Sequence, residues 1–332
     1  MSITATRSIA ILGAGGLGRS AVQLLSQKSE FRLVAIGDSQ GIAARAGGIG
    51  PADIAGLRED QSVENVAGIG RATADAAGEL IAMNKAGELD AIFLAVPNIP
   101  NNFIPNLIVR FCREGFRGVI VDALKRTSAV KQIVEQEAVL NASDLVYVTG
   151  AGATPGLLTA AANLAAQSFA KIESVDIWFG VGMSNWEKYR ATIREDIAHM
   201  PGFDIEKVRT MTDADVDTLL DEVNGLLELH NMEHADDILL EGAGTVTSAK
   251  VRVGGLVDTR NAAKPVSTRM TLRGTTFEGK ESAHTFTLGD DTSMAANVLG
   301  PAFGWMKAGL ELHDRGIRGL FSSADLMPKY VK

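Results

Sequence analysis

The chain has 332 residues, 46% of them hydrophobic, and a formal charge of −8 carried by interspersed acids and bases. That length and apolar content suffice for two domains with a large core, and the charge argues against nucleic acid or an anionic membrane as the partner. With one cysteine, Cys112, no intrachain disulfide is possible, which suits a reducing, cytoplasmic setting. The opening "MSITATRSIAIL" carries no secretory leader pattern. No apolar run reaches the roughly 20 residues that a bilayer demands.

Residues 7–12, "RSIAIL", are a nearly continuous apolar run, the pattern of a strand buried on both faces of a parallel sheet. The run enters Gly13-Ala14-Gly15-Gly16-Leu17-Gly18, and "RSAVQLLSQK" then reads as a helix. A second strand, "RLVAIGD", ends in Asp38, 20 residues beyond Gly18. In that context the glycines are a dinucleotide-binding signal. Gly13 makes the tight turn, Gly15 lets the backbone approach a pyrophosphate, and Gly18 lets helix and strand pack closely. Gly16 and Leu17 complete the loop, and the helix N-terminus offers unpaired amides to the phosphates. Asp38 is placed to accept hydrogen bonds from the adenine ribose. A carboxylate there repels a 2′-phosphate, which favours NAD; Arg19 and Arg45, near in sequence, keep NADP open.

Residues 39–70 read as an irregular excursion. Strands at 90–97, 117–123 and 144–150 then alternate with helical segments, which predicts a doubly wound parallel sheet, a Rossmann domain over residues 1–152. Ligands of such sheets sit beyond the carboxyl ends of the strands. The residues to inspect are therefore Val96 and Pro97 for the cofactor, Asp122 to Lys125, and the second glycine-rich turn, Gly150 to Gly156.

That second turn lacks phosphate-loop spacing. Thr154 suits a helix N-cap and Pro155 the first helical position. Gly152, Thr154, Pro155 and Gly156 are candidates for binding an anionic substrate group at a helix N-terminus; a close-packed hinge is the alternative. Beyond it, residues 153–332 read as an α+β domain for substrate and dimer contacts. "KIESVDIWFGVGM" alternates, with Ile172, Val175, Ile177, Phe179 and Val181 inward. Residues 185–234 read as mostly helical, three strand-like segments follow, and "TSMAANVLGPAFGWMKAGLEL" is a helix interrupted at its Gly-Pro.

The run "TPGLLTAAANLAA" before "KIESVDIWFGVG", with the closing "TSMAANVLGPAFGWMKAGL" and "GIRGLFSSADLMPKY", resembles the saccharopine dehydrogenase-like family. The resemblance implies a homodimeric NAD(P)-dependent oxidoreductase that moves a hydride between nicotinamide and a small amino-acid-like, keto or imino substrate. In the first half, "FRLVAIGDSQGIAARAGGIG" and "VIVDALKRTSAVKQIVEQ" are also similar to homoserine dehydrogenase. In that family a lysine after the corresponding strand lies near the nicotinamide, and Lys125 is the position that matches.

Such chemistry needs a proton carrier and positive charge for carboxylates. Lys125 is the first candidate for either, with Asp122 at the end of the same strand as its partner. Arg194 and Arg269 are candidate carboxylate binders. His230-Asn-Met-Glu233-His234 matches an inverted zinc-peptidase pattern only if it lies on a helix; beside a dinucleotide motif a solvated helix face is the simpler reading, and no metal is expected. A dinucleotide-binding sensor without turnover is the second functional reading.

Overall fold

The computed structural model describes residues 6–58, 60–96, 103–183, 186 and 190–332. Two compact units form: Met1–Leu157 with Ala295–Lys332, and Leu158–Met294. The α+β region drawn to the C-terminus thus ends at Met294, and the last helix and tail return to the first unit.

In the first unit the order is β1 (Arg7–Leu12), α1 (Gly16–Leu25), β2 (Phe31–Gly37), β3 (Gly41–Ala44), α2 (Pro51–Ile54), β4 (Gly70–Ala72), α3 (Ala76–Lys85), β5 (Ala91–Leu94), α4 (Phe103–Arg113), β6 (Gly118–Asp122), α5 (Thr127–Val134), α6 (Glu137–Asn141) and β7 (Leu145–Thr149). The second unit holds α7 (Leu157–Ala166, its first residue shared), β8 (Phe169–Gly182), α8 (Arg190–Ile197), α9 (Ile205–Thr210), α10 (Asp213–Glu222), β9 (Leu226–Leu229), α11 (Asp236–Gly242), β10 (Val251–Asp258), β11 (Arg269–Thr276) and β12 (Glu281–Thr287). The chain closes with α12 (Met294–Asp314) and β13 (Gly319–Ser322).

The first sheet runs β13-β7-β6-β5-β1-β2-β3-β4. Its strands from β13 to β2 are parallel, and β3 and β4 add antiparallel at one edge. This is a Rossmann-type doubly wound sheet. Strand order reverses between β1 and β5, the switch point where such sheets open a crevice. Part of the 39–70 excursion is therefore sheet: short strands with few apolar residues carry little period-two signal. Strand β7 was read as the last of this sheet; β13, from the tail, lies beyond it.

The parallel strands are apolar throughout because both faces are covered. Ile9, Ala10, Ile11, Ile92, Phe93, Val119, Val121 and Val146 are all fully buried. Helix α12 supplies much of that cover. Phe303 packs against Phe31 and Phe93 with ring centroids 6.2 and 5.5 Å apart, and a Cβ on Gly309 would lie 2.9 Å from Val119. The helix runs unbroken through Gly300-Pro301, where an interruption was expected. Its buried face, with Trp305 and Met306, holds it to the sheet.

The second sheet runs β12-β11-β8-β10-β9 and is mixed, with only β8 and β10 parallel. Val175 and Ile177 point inward as read, and Phe179 and Val181 are half-buried. Ile172 keeps the same face because pairing with β11 shifts register between Arg273 and Gly274, skipping one residue of β8. The region after β8 folds α8 to α10 and β9 around Ile193, Ile197, Val216, Leu220, Leu227 and Val257. Among the described residues no helix is long and apolar enough to cross a membrane.

Phe303→Ala should lower the unfolding free energy by about 3–5 kcal/mol, the usual cost of emptying a buried aromatic site. Denaturant titration checks this; a loss well under 1 kcal/mol would show that α12 is not part of the first unit's core.

Candidate functional site

The first glycine turn is shaped by contacts that exclude side chains. Gly13 has φ +115°, and a Cβ there would stand 2.3 Å from the Ala95 carbonyl oxygen at the end of β5. A Cβ on Gly18 would stand 1.9 Å from the Gly13 carbonyl oxygen. Those two glycines let α1, β1 and β5 meet. Gly15 and Gly16 differ: both are exposed, and a Cβ on either meets nothing within 4 Å. Helix α1 starts at Gly16 with Gly15 as N-cap and no side-chain cap. Its first amides and the positive end of its dipole therefore face open space, the arrangement that takes a pyrophosphate. Leu17 is half-buried, as is Val96 after β5. Pro97 lies outside the described residues. The loop thus fits a dinucleotide.

Asp38, directly after β2, does more internal work than its motif role requires. Its Oδ1 accepts from the Gln40 and Gly41 amides and the Ser62 hydroxyl, and its Oδ2 from the Val63 amide. Burial pushes its pKa up, but these hydrogen bonds, Val63 first, outweigh it and hold the carboxyl below its ordinary range. Asp38 so closes the β2–β3 hairpin and pins residues 62–63, with Oδ2 accepting from one described donor where Oδ1 accepts from three. Arg19 donates to the carbonyls of Ala14, Leu57, Arg58 and Gln61. It straps part of the excursion to the glycine turn. Arg45 donates to the Gly48 carbonyl and pairs with Asp53. Both arginines have structural partners.

Asp122, the last residue of β6, is 1% exposed. Its Oδ1 accepts from the amides of Leu124, at 3.0 Å, and Gly150, at 2.8 Å; its Oδ2 accepts from the Tyr147 hydroxyl at 2.6 Å. Burial raises its pKa against the lowering effect of those donors, Tyr147 first. Burial likewise drives the Tyr147 hydroxyl well above its ordinary value, with the Asp122 charge adding to it. The catalytic role read for Asp122 is thus corrected to positioning: neither oxygen is turned to a ligand, and each ties down a loop. One loop holds Lys125, half-buried and, among the described residues, without a hydrogen-bond or ion-pair partner.

The other loop is the second glycine turn, which closes on itself. Gly152 N–H donates to the Pro155 carbonyl and Leu157 N–H to the Gly152 carbonyl, both at 2.9 Å, while Ala151 N–H donates to the Asp122 main-chain carbonyl. Gly156 has φ +135°, and a Cβ there would overlap the Gly152 backbone. Helix α7 begins at Leu157, so Pro155 is not its first residue and Thr154 lies in the turn before it, joined to Pro155 by a cis peptide bond. Gly152, Pro155 and Gly156 are buried, and Thr154 is half-buried.

The candidate arginines lie elsewhere. Arg194 donates to the Val208 and Met211 carbonyls and pairs with Asp213 at 2.7 Å, knitting α8 to the α9–α10 connection. It is a structural residue of the second unit. Arg269 stands exposed on β11. The histidine motif is not helical: His230 follows β9 and packs at a tilt against Trp178, while His234 is buried just before α11. Among the described residues no group of three or more His, Cys, Asp or Glu could hold a metal ion. Sequence reading missed Tyr147 because a tyrosine inside an apolar strand looks like core. It missed Asp236 because nothing in sequence pairs it with His234.

No protein-family model matches the chain. A protein of Haloferax mediterranei named (S)-8-amino-7-oxononanoate synthase BioU is 40% identical over 351 residues, 97% of this chain and 99% of that protein. The chain belongs to the BioU family. Membership overturns the reading as an NAD(P)-dependent dehydrogenase of amino or keto acids, because the BioU relative is a synthase. What remains of the saccharopine dehydrogenase resemblance is the fold. Saccharopine dehydrogenase (L-Glu forming) of Saccharomyces cerevisiae superposes with a TM-score of 0.57 at 11% identity, over 96% of this chain and 94% of that one. The C. glutamicum DAP dehydrogenase with DAP bound gives 0.56 at 14%, covering 97% and 94%. An engineered D-amino acid dehydrogenase bound to NADP+ gives 0.56 at 15%, with the same coverage.

In this BioU-family chain Asp122→Asn should cost about 1–3 kcal/mol of stability, since an amide nitrogen cannot accept from the donors that Asp122 now satisfies. Tyr147→Phe, which strands Oδ2 alone, should cost less than Asp122→Asn. Thermal and denaturant melts give the order; equal, negligible losses would show that the carboxylate does not hold the loops.

Proposed function

We propose that this chain is an (S)-8-amino-7-oxononanoate synthase working on a dinucleotide-binding domain. The observation that supports this reading is the 40% identity to the Haloferax protein along almost the whole of both chains. The product named is a nine-carbon acid with a ketone at C7 and an amine at C8, a small molecule with one anionic end and one carbonyl–amine end.

The residues present suit that chemistry. The Gly13–Gly18 turn is the place for the dinucleotide, with Gly15, Gly16 and Leu17 at the phosphates, Asp38 Oδ2 at the adenine ribose, and Val96 beside the nicotinamide half. We assign NAD rather than NADP, because Asp38 repels a 2′-phosphate and Arg19 and Arg45 are spent on protein groups. Bound nicotinamide supplies hydride chemistry; the activity assigned is nonetheless the synthesis, not a free-standing dehydrogenation. Lys125 is the proton carrier at the reacting carbonyl. It is half-buried, it lacks a partner among the described residues, and the loop before it is fixed through Leu124 to Asp122. Thr154, at the bend of the second turn, meets the substrate.

The test is mass spectrometry of 8-amino-7-oxononanoate incubated with the purified chain and NADH, NAD, NADPH or NADP, because either direction of the reaction changes its level. Native protein should change it, and Lys125→Ala should slow the change by at least about 100-fold, the usual worth of a proton carrier. No change with any cofactor sinks the reading. In parallel, NADH should bind more tightly than NADPH in a fluorescence titration; the reverse order would overturn the choice of NAD.

A further inference from the structure

The second sheet ends in a strand that is left open. Every residue of β12, Glu281 to Thr287, is exposed, whichever face of the sheet it lies on. Among the described residues no strand pairs with the outer edge of β12. Sheet edges are ordinarily guarded against further pairing by a lysine, a proline or a bulge. This one has none of them: its pairing with β11 runs from Arg269↔Thr287 to Thr275↔Glu281 without a register shift.

The hydrogen-bond pattern fixes which groups the edge offers. Leu288 N–H donates to the Thr268 carbonyl, and Thr276 N–H to the Lys280 carbonyl. Residues 280, 282, 284, 286 and 288 therefore turn their amides and carbonyls toward β11. Those of Glu281, Ala283, Thr285 and Thr287 point away from the sheet. A second, antiparallel β12 answers all of them. With a two-fold axis at His284, Glu281 stands opposite the partner's Thr287, and Ala283 opposite the partner's Thr285. Each such pair exchanges two main-chain hydrogen bonds.

Charge favours this occupant. Glu281 and Arg269 are both exposed, and neither side chain has a hydrogen-bond or ion-pair partner among the described residues. The register puts them on one face, the face of Thr285, whose hydroxyl meets that of Thr271 at 3.2 Å. Within one chain they are too far apart to pair. Glu281 stands opposite Thr275, six residues along β11 from Arg269, or about 20 Å. Across the axis the partner's Arg269 lies only one strand beyond the partner's Thr287. That is about 10 Å from Glu281 at the backbone, within reach of the two side chains. The symmetry makes this ion pair twice. On the other face Phe286, 42% exposed, comes opposite the partner's Ser282. His284, at the axis, packs edge-on against Phe169 with ring centroids 5.1 Å apart.

We propose that β12 is the seam of a two-fold homodimer, in which two copies of the second sheet join edge to edge. The seam is isologous, so it consumes the open edge of both copies and association stops at two.

The full chain tests this. In light scattering at micromolar concentration the native protein should show twice the chain mass of 35.1 kDa. Arg269→Glu alone, or Glu281→Arg alone, should weaken the dimer at least about tenfold by setting like charges against each other. The two substitutions together should bring Kd back to within about threefold of native. Thr285→Pro removes an outward amide and no bond to β11, so it should give a folded monomer. Under mild oxidation His284→Cys should form a 284–284 disulfide, read by peptide mass spectrometry, because the axis brings the two α-carbons to about 4.5 Å. A native monomer overturns the proposal. So does a dimer that survives Thr285→Pro, ignores the charge reversals, or gives no 284–284 disulfide. Should Thr285→Pro fail to fold, the charge reversals and their rescue decide.

Discussion

One buried carboxylate holds two loops of the first unit in place. Asp122 ends β6 and, with three donors, fastens the loop that leaves β6, the loop that leaves β7, and a tyrosine in β7 itself. The two loops follow adjacent parallel strands, so they emerge side by side on the edge where doubly wound sheets bind ligands. A buried charge of this kind is retained only where every lone pair it offers is answered. Because the answers are two backbone amides and one buried hydroxyl, the loops inherit the rigidity of the sheet. Lys125 is carried on one of them, and among the described residues its lack of a hydrogen-bond or ion-pair partner contrasts with the saturation of Asp122 three residues earlier.

The same economy recurs at the first glycine turn. Gly13 and Gly18 are required by atoms that already occupy the space, whereas Gly15 and Gly16 leave space open. Asp38 combines both kinds of work. Its carboxylate caps a hairpin and a loop of the protein and still ends the strand that meets a ribose in folds of this type. Residues that read as ligand contacts in sequence are here residues that build the turn and the hairpin.

Reading the chain for chemistry went wrong where local pattern and tertiary partner diverge. Arg194 looks like a carboxylate binder because arginine forks suit carboxylates; in the fold its fork is filled by two carbonyls and Asp213. His230 and His234 look paired because they are four apart, but the chain between them is not helical, so that spacing brings nothing together. The effective partner of His234 is Asp236, two residues on and reached by a turn that no periodicity announces. Dehydrogenase function was read from a scaffold that many activities share. The BioU relative, alike in sequence along nearly its whole length, is named a synthase, and that overturns the dehydrogenase reading.

By itself the sequence determined the parallel sheet, the placing of β1, α1 and β2 around the glycines, and the α+β character of the second half, because apolar runs and period-two alternation follow directly from which strand faces are covered. It also marked Lys125 and Asp38 by their positions after strands. Only the tertiary structure decided that α12 and β13 return to the first unit, that Asp122 positions and does not react, and that the second glycine turn is closed by its own amides. Each of those outcomes depends on hydrogen bonds or packing between residues distant in sequence, and such contacts leave no periodic trace along the chain.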